Sequence, residues 1–297
     1  AGYAVDSRID MIEADGYSTG NDYVGGIAGT MHRGTIQRST VDMTLWAQGY
    51  YSGLIAGSVS SDASFISTIS TCESRGAVRG VDNVGGLVGF LSYGSVINSS
   101  SHAAVSGRNY LGGAVGTCGW SEQGAIVRSY STGTVVSEIS GFGVFGFVGR
   151  MQSGQVYDCY WDSQSSGLTL GGHSYLTGLT TMAMKQSASY QNWNFDSLWD
   201  ITEGAEYPYL RDLSVYQDPG NLATAELIGS GTPEDPYLIM SSDQLNIIRQ
   251  NLSAHYRIHT DLDLSATLIW NGGRGWLPLG SPAEPFTGSI DGDGKII

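Results

Sequence analysis

The sequence predicts a mainly β protein: a parallel β-solenoid (β-helix) of about five coils with an aromatic, short-helix cap, followed by a small α+β segment that opens another solenoid. Three observations lead to this prediction. A glycine-rich motif recurs through the first half of the chain, a column of small residues recurs in step with it, and glycine is in excess, at 43 of 297 residues with only 7 prolines.

The glycine motif first occurs at residues 24–29 as Val-Gly-Gly-Ile-Ala-Gly. It recurs at 84–89 and 111–116, with looser copies at 51–57 and 144–149. The closing glycines, at 29, 57, 89, 116 and 149, are spaced by 28, 32, 27 and 33 residues. A near-constant period of this size indicates a repeat architecture. We expect each motif at a bend of the coil, where side chains would collide, and positive φ is a second reason for glycine there.

A second column follows each motif, after a turn and a short apolar strand. Its members are small and are predicted to form an inward ladder: Ser39, Cys72, Ser99, Ser129 and Cys159. With a third strand in most copies, each period holds about three short strands. Stacked strands lie about 4.8 Å apart, so Cys72 and Cys159 are roughly 14 Å apart and unable to form a disulfide. Cys118 is placed in a turn insertion.

The acidic composition excludes several partners. The net charge is −14, lysine occurs only at Lys185 and Lys295, and the basic residues form no cluster. A nucleic-acid surface is therefore not expected, and anionic lipid would be repelled. No uninterrupted run of about 18 apolar residues occurs, which predicts no membrane insertion.

Three regions are predicted: a solenoid at 1–160, its cap at 161–221 and an opening segment at 222–297. The cap is rich in aromatics, with Trp193, Phe195, Trp199, Tyr207 and Tyr209, and residues 180–187 have a helix-compatible composition. Bulky aromatics with a short helix suit the covering of open strand edges at the end of a solenoid. The alternative is a sugar-stacking aromatic cluster.

The opening segment begins with the turn-rich residues 229–236. A strand at 237–239 precedes a helix capped by Ser242, in which Leu245, Ile248 and Leu252 share one face. Further strands follow, and residues 286–297 form a strand, a turn and a second strand.

These motifs resemble a known family. The copies of Gly-Gly-Leu-Val-Gly resemble the GLUG repeat of bacterial and archaeal cell-surface and secreted β-solenoid proteins. The segments 160–162, 199–201 and 207–210 resemble the closing cap of such arrays, and residues 231–239, 261–265 and 286–294 resemble the opening of the next array. The resemblance implies an extracellular setting and adhesins, large surface proteins or carbohydrate-active modules. It carries no catalytic signature.

The order of the parts is array, cap, opening, whereas the family order is opening, array, cap. Joining the two ends restores the family order, which suggests one period of a longer polymer. The chain then contacts copies of itself head to tail across an assembly seam formed by Ala1, Tyr3, Val5, Phe286, Ile290, Ile296 and Ile297. The alternatives are a tandem-repeat polypeptide and a fragment of one large protein.

Candidate ligands for a metal are few. Asp291 and Asp293, with Asp261 and Asp263, could bind Ca²⁺. A tight turn explains the two Asp-Gly pairs equally well and is the favoured interpretation. Two sequons, at Asn251 and Asn98, are candidate glycosylation sites, the former the better of the two.

No catalytic constellation is found in the sequence, so no enzyme activity and no cofactor other than Ca²⁺ is expected. The predicted function is an extracellular structural or cell-surface protein, a repeat unit of a filament, sheath, surface layer or adhesin stalk. The alternatives are a carbohydrate-binding adhesive module that uses the aromatics near 193–209 on cell-surface glycans, and a polysaccharide lyase or hydrolase on a β-helix.

Overall fold

The computed structural model describes residues 2–62, 66–119, 125–196, 198–211, 227, 229–239, 242–259, 262, 264, 276, 278–281 and 284–297. Ala1, Asp261 and Asp263 lie outside the described residues. The chain divides into two compact units, Ala1–Ser214 and Val215–Ile297. Strands dominate, and the predicted mainly β solenoid is confirmed.

The first unit winds through successive coils of short strands. The first three coils consist of β1 (Tyr3–Val5), β2 (Arg8–Asp10), β3 (Glu13–Gly20) and β4 (Val24–Gly25), then β5 (Ala28–His32), β6 (Thr35–Gln37), β7 (Thr40–Ala47) and β8 (Tyr50–Gly53), then β9 (Ala56–Ser60), β10 (Ser67–Ser70), β11 (Glu73–Arg79) and β12 (Asp82–Gly85).

The next three coils repeat this order, and their third strand is split in two of them. They consist of β13 (Val88–Leu91), β14 (Gly94–Ile97), β15 (Ser100–Ser101), β16 (Ala104–Gly107) and β17 (Asn109–Gly112), then β18 (Val115–Cys118), β19 (Ala125–Val127), β20 (Tyr130–Ser131), β21 (Val135–Ser137) and β22 (Val144–Phe145), then β23 (Val148–Met151), β24 (Gln155–Tyr157) and β25 (Tyr160–Asp162).

Equivalent strands of successive coils pair in parallel and form four sheets, named A to D after the first to fourth strand of each coil. The expectation of about three strands per period was therefore one too low. The fourth strand escaped detection because it consists of the residues at the start of the glycine motif, such as Val84-Gly85 in β12, which pairs with Leu111-Gly112 in β17.

The core of the first unit lies between the four sheets. In β7, Val41, Met43 and Leu45 point inward and are buried, whereas Asp42 and Trp46 alternate with them and point outward. Repeated in every coil, this alternation stacks apolar side chains into one continuous buried cluster that runs from Val24 to Leu176.

The glycine motif forms the corner between sheets D and A. A Cβ atom added to Gly53 would lie 2.6 Å from the carbonyl oxygens of Ala56 and Leu87. On Gly85 it would lie 2.6 Å from the amide nitrogen of Gly116 in the next coil. The glycines are therefore required because neighbouring coils leave no room for a side chain.

The expectation of positive φ within the glycine motif was wrong. The left-handed residue is the one six positions before each closing glycine: Tyr23 (φ 54°), Tyr51 (φ 62°), Asn83 (φ 58°), Tyr110 (φ 55°) and Gly143 (φ 66°). The glycines that follow have no positive φ and pack against the next coil.

The predicted ladder of small residues lies at the corner between sheets B and C, and all five members are buried. The amide of Cys72 donates to Ser99 Oγ at 3.1 Å, and the amide of Ser99 donates to Ser129 Oγ at 3.1 Å. The hydroxyls therefore satisfy corner amides of the preceding coil. The residues that precede the ladder, including Arg38, Thr71 and Asn98, again have positive φ.

All three cysteines are buried free thiols, and burial raises the pKa of each to about 12. Cys118 was misplaced by the sequence: it is not in a turn insertion but is the last residue of β18 in sheet A. The three thiols therefore serve as small core residues.

Residues 163–179 lie over the sixth coil. The amides of Gly146 and Val148 donate to Leu170 O and Gly171 O at 2.9 and 2.8 Å, and β26 (Thr177–Leu179) pairs in parallel with β25. This segment satisfies strand edges as a further coil would.

The aromatic part of the predicted cap has another position. Residues 180–196 and 198–211, named the strap, lie against the outer face of sheet C. The predicted helix at 180–187 is replaced by two 3₁₀ turns, Ala183–Lys185 and Ser187–Ser189, and the strap ends in an antiparallel pair, β27 (Trp199–Asp200) with β28 (Tyr209–Leu210).

The second unit contains three parallel strands, β29 (Tyr237–Ile239), β30 (His255–Ile258) and β31 (Ser289–Asp291). The helix α1 (Ser242–Ile247) follows β29 and continues as a 3₁₀ turn, Ile248–Gln250. Leu245 and Ile248 are buried with Ile239, Tyr256 and Ile258 in a separate core. None of the helices in the described part of the chain is long and apolar enough to cross a membrane.

Candidate functional site

The outer face of sheet C carries a cluster of polar and aromatic side chains. Sheet register places Glu73, Ser100, Tyr130 and Tyr160 in one column, one coil above another. These residues immediately follow the small ladder, so strand alternation points them outward. An outward column is normally exposed, yet Tyr130 is fully buried because the strap covers it.

Tyr130 is the centre of this face. Its hydroxyl donates to Pro208 O of the strap and lies 3.1 Å from His102 Nε2. His102 Nδ1 in turn lies 2.8 Å from Thr132 Oγ1. A hydrogen-bonded chain thus links two coils to the backbone of the strap, and the residues that it joins are 28 and 78 positions apart in sequence.

The electrostatics of this network follow from burial. Desolvation, with the positive charge of Arg75 as a smaller cause, lowers the pKa of His102 to about 4. The carboxylate of Glu73 lies 3.8 Å from His102 Nε2 and is paired with Arg75. Desolvation also raises the pKa of Tyr130 well above its ordinary value. At neutral pH both rings are therefore uncharged.

Asp162 anchors the strap at the other end of the face and is fully buried. Burial alone would raise the pKa of its carboxyl, but the hydrogen bonds that it accepts outweigh this effect and hold the pKa below its usual value. Its Oδ2 accepts from Thr181 Oγ1 and Tyr207 OH, both at 2.7 Å, and its Oδ1 accepts from the amides of Gln164 and Ser165.

Packing buries most of the aromatic side chains of the strap. Trp193 is 8% exposed and Trp199 is buried completely. Their ring centroids are 4.5 Å apart, and both rings lie about 6 Å from that of Tyr130. These buried rings do not fit the alternative interpretation, a sugar-stacking aromatic cluster near 193–209. Among the described residues of that range, Tyr209, at 38%, is the exposed large apolar side chain.

The sequence analysis did not identify His102 and Tyr130 as site residues, nor Asp162 as the acceptor of several hydrogen bonds. A signal was present, because Tyr130 occupies the same outward column as Glu73 and Tyr160. What the sequence did not provide was the destination of the strap, which brings Tyr207 to a carboxylate 45 residues earlier.

The structure describes two of the four calcium candidates, Asp291 and Asp293. Asp291 pairs with Arg257, whose Nε lies 3.1 Å from Oδ2, and its Oδ1 accepts from the amide of Asp293 at 3.0 Å. Asp293 and Gly294 have φ of 45° and 68°, and Lys295 N donates to Gly292 O, which is the geometry of a type I′ turn. The favoured turn interpretation thus accounts for both aspartates. No group of three potential metal ligands occurs within the described residues.

The described residues of the predicted assembly seam lie partly in the first unit and partly in the second. Tyr3 and Val5 are exposed on β1, at 68% and 38%. Ile290, Ile296 and Ile297 are also exposed, whereas Phe286 packs against the core of the second unit.

The two sequons differ in environment. Asn98 has positive φ at the corner between sheets B and C, and its Oδ1 accepts from Arg128 Nε of the next coil at 3.0 Å. Asn251 Oδ1 accepts from the hydroxyl and amide of Ser253, the serine of its own sequon, at 3.0 and 3.3 Å. Modification of Asn98 would therefore compete with a contact between coils, whereas the side-chain oxygen of Asn251 bonds to Ser253 of the same turn.

Comparison with known proteins gives partial similarity. No family model and no solved structure matches the chain. A halomucin of Haloquadratum walsbyi is 42% identical over 102 residues, which is 33% of this chain and 1% of that protein. A putative Gly-rich membrane protein of Evansella cellulosilytica is 37% identical over 87 residues, 28% of this chain and 10% of that protein. The chain therefore matches only a small fraction of the length of either curated relative.

Proposed function

We propose that the chain is a structural segment of a large extracellular or cell-surface protein, serving as a repeat unit of a filament, sheath, surface layer or adhesin stalk. The observation that carries this proposal is the continuous parallel stacking of four sheets through the first unit. Backbone hydrogen bonds in such a stack run along the solenoid axis, so all four ladders resist extension together.

Side chains reinforce the stacking from outside. Arg33 lies 2.6 Å from Asp6 of the preceding coil and 3.7 Å from Asp62 of the following one. Arg108 pairs with Asp82 of the preceding coil at 3.1 Å. Individually such exposed pairs contribute little, but each joins adjacent coils and opposes their separation.

The relatives support the setting. One is named halomucin and the other a Gly-rich membrane protein, and both are many times longer than the matched segment. A large cell-surface protein built from many segments fits both facts. The GLUG-type motifs support the same proposal by resemblance. Immunogold labelling of intact, unpermeabilised cells with antibodies to the 297-residue chain tests it; label only after permeabilisation would contradict it.

We also propose that copies of the chain associate head to tail. Sheet A ends at the edge strand β1, on which Val5 is 38% exposed. A further coil would pair with the free edge of this strand. A Val5→Lys substitution places a charge at this edge and is expected to reduce self-association in sedimentation velocity.

Val136 provides the matched control, because it is 55% exposed on β21, away from the first coil. Val136→Lys should leave the sedimentation coefficient and its concentration dependence unchanged. A chain that remains monomeric at all accessible concentrations would contradict association between separate copies.

A further inference from the structure

The first residues of the strap meet the turn after β25 at a buried carboxylate. In the parallel pair of β25 and β26, Asp162 lies opposite Leu179. The amide and the hydroxyl of Ser163 both donate to Leu179 O, at 2.9 and 3.0 Å, and hold this register. Two residues beyond the register pair lie Gln164 and Thr181, so the two chain segments bring these side chains to the same place.

Thr181 makes two side-chain contacts of different kinds. Its Oγ1 donates to Asp162 Oδ2 at 2.7 Å, and its backbone amide donates to Gln164 Oε1 at 2.8 Å. One residue therefore presents a hydroxyl to a carboxylate and an N–H group to a side-chain carbonyl. A hydroxyl nucleophile, a proton acceptor and an acyl group with a donor on its oxygen are the parts of an acyl-transfer site.

The carboxylate of Asp162 is held in place to accept a proton. It is fully buried, and its Oδ1 accepts from the amides of Gln164 and Ser165 at 2.9 and 3.0 Å, which fixes its orientation. Oδ2 thus faces Thr181 and Tyr207. Because the pKa of this carboxyl lies below its usual value, it is ionised at neutral pH and can take a proton from the threonine hydroxyl.

The acyl group of Gln164 is also positioned, and its leaving group has an exit. The amide of Gln164 donates to Asp162, and its carbonyl oxygen accepts from Gly167 N at 3.3 Å within the turn. The N–H group of Thr181 would stabilise negative charge that develops on Oε1. The side chain of Gln164 is exposed, so ammonia formed from Nε2 passes directly into solvent.

We propose that Thr181 and Gln164 form an intramolecular ester. Thr181 Oγ1 attacks Cδ of Gln164 while Asp162 takes the hydroxyl proton, and Oε1 carries the negative charge of the tetrahedral intermediate. When the intermediate collapses, the Cδ–Nε2 bond breaks, Asp162 returns the proton to Nε2 and ammonia leaves. One C–O bond replaces one C–N bond, so the step needs no oxidant, reductant or cofactor.

The ester would close a covalent ring from Gln164 to Thr181 around the segment that lies over the sixth coil. It would also tie the start of the strap to the turn after β25, independently of the hydrogen bonds that hold the strap. This modification goes beyond the structural role and does not depend on it, since a segment without the ester keeps its stacked coils.

Mass spectrometry of the intact, full chain tests the proposal after the folded protein has been kept at neutral pH. We expect a mass below that of the sequence by about 17 Da, the mass of the ammonia lost in the acyl transfer. The tryptic peptide of residues 151–185 contains both partners and no asparagine, whose cyclisation would also release ammonia. It should carry the whole difference and give no backbone fragment ions between residues 164 and 181.

Three variants locate the reaction. Thr181→Val removes the nucleophile with little change of shape and should have its full sequence mass, whereas Thr181→Ser keeps the hydroxyl and should lose ammonia. Thr177→Val is the matched control, because Thr177 is an exposed threonine of β26 in the same tryptic peptide. Its loss of ammonia should equal that of the unsubstituted chain, and circular dichroism verifies that all variants are folded.

A full sequence mass for the unsubstituted chain would overturn the proposal, as would a loss of ammonia that persists in Thr181→Val. Conversion of Gln164 to glutamate would show that water reacts in place of Thr181, and would also overturn it. Hydroxylamine cleaves esters and spares amides, so it should open the linked peptide. A link that resists hydroxylamine would be an amide and would contradict the assignment to Thr181.

Discussion

The two faces of sheet C are built from the same strands but are held together by different physics. On the inner face, Ser101, Ser131 and Val105 are buried and stack on their equivalents in adjacent coils. On the outer face, His102 and Tyr130 belong to a chain of directional hydrogen bonds that ends on the strap.

This difference shows what each face tolerates. The interior depends on shape, because close-packed coils have no room for added atoms. The strap face depends on hydrogen-bonding partners and protonation, because a buried polar group is costly once its partner is lost. Volume changes should therefore damage the interior, whereas pH and hydroxyl deletions should act on the strap.

The largest expected effect is Gly85→Ala. The added methyl would lie 2.6 Å from Gly116 N and 2.7 Å from Ala114 O, both backbone atoms of the next coil that cannot move independently. We expect a loss of about 3 kcal/mol or more in the free energy of unfolding, from urea titration followed by far-ultraviolet circular dichroism.

Gly16→Ala is the control for this change. Gly16 has φ 106° but no atom within 4 Å of an added Cβ, so only the backbone penalty applies. A loss of about 1–2 kcal/mol is expected. Equal losses in the two variants would show that steric fit between coils does not govern the interior.

Acidification should act on the strap face through His102. Its pKa of about 4 in the folded chain lies below the ordinary 6.5, so the unfolded chain takes up a proton first as the pH falls. Stability from this group is complete above pH 6.5, declines between 6.5 and 4 and is constant below. The loss is at most about 3 kcal/mol. Asp162, whose pKa is lowered, loses its contribution only as the pH falls below the ordinary 3.8, outside this window.

Urea titrations at pH 7.5 and 4.5, followed by near-ultraviolet circular dichroism of the packed aromatics, measure the effect. The groups that face His102 are Glu73, Arg75, Tyr130, Thr132 and Tyr207. His102→Gln cannot be protonated, so the difference between its pH dependence and that of the unsubstituted chain isolates the histidine. An identical pH dependence in the variant and in the unsubstituted chain would show that protonation of His102 does not affect the stability of the strap.

Tyr130→Phe should loosen the strap with little effect on the coils. The ring contacts with Trp193 and Trp199 remain, but Pro208 O and His102 Nε2 lose their partner. We expect a loss of about 2 kcal/mol, seen as faster amide hydrogen exchange in residues 180–211. Tyr175→Phe, on an exposed ring, provides the comparison. Faster exchange spread equally over β5–β9 would contradict a local role.

The smallest expected effect is Ser99→Ala in the small ladder. The methyl fits, but the amide of Cys72 loses its acceptor, which should cost about 1 kcal/mol in urea titration. Ser99→Cys should cost less, because Cys72 and Cys159 already occupy equivalent positions. A larger loss for the cysteine than for the alanine would show that volume, not hydrogen bonding, limits this corner.

The sequence predicted the features that depend on local pattern. The period, the inward ladder through Ser99 and the parallel stacking all follow from residues repeated in step, and the structure shows each. Positive φ was assigned to the wrong residue because a glycine that lacks space and a glycine that needs left-handed φ look alike in sequence. Only the contacts of Gly53 and Gly85 with the next coil distinguish them.

The candidate site could not be predicted in the same way. Tyr130 and His102 stand in outward columns that a bare solenoid would leave in water, and their burial depends on where the strap folds. The pairing of Tyr207 with Asp162 spans 45 residues and has no periodic counterpart, so no column of the sequence records it.

By itself, the sequence determined the coil. It determined the number of residues per coil, the positions that face inward and the positions that must be glycine, because each of these positions contacts a neighbour that repeats with the same period. Tertiary structure alone decided which outward residues are buried and which remain exposed. The strap, which does not repeat, covers Tyr130 and leaves Tyr23 and Tyr50 exposed. A segment without a periodic partner is placed only by the surface on which it packs.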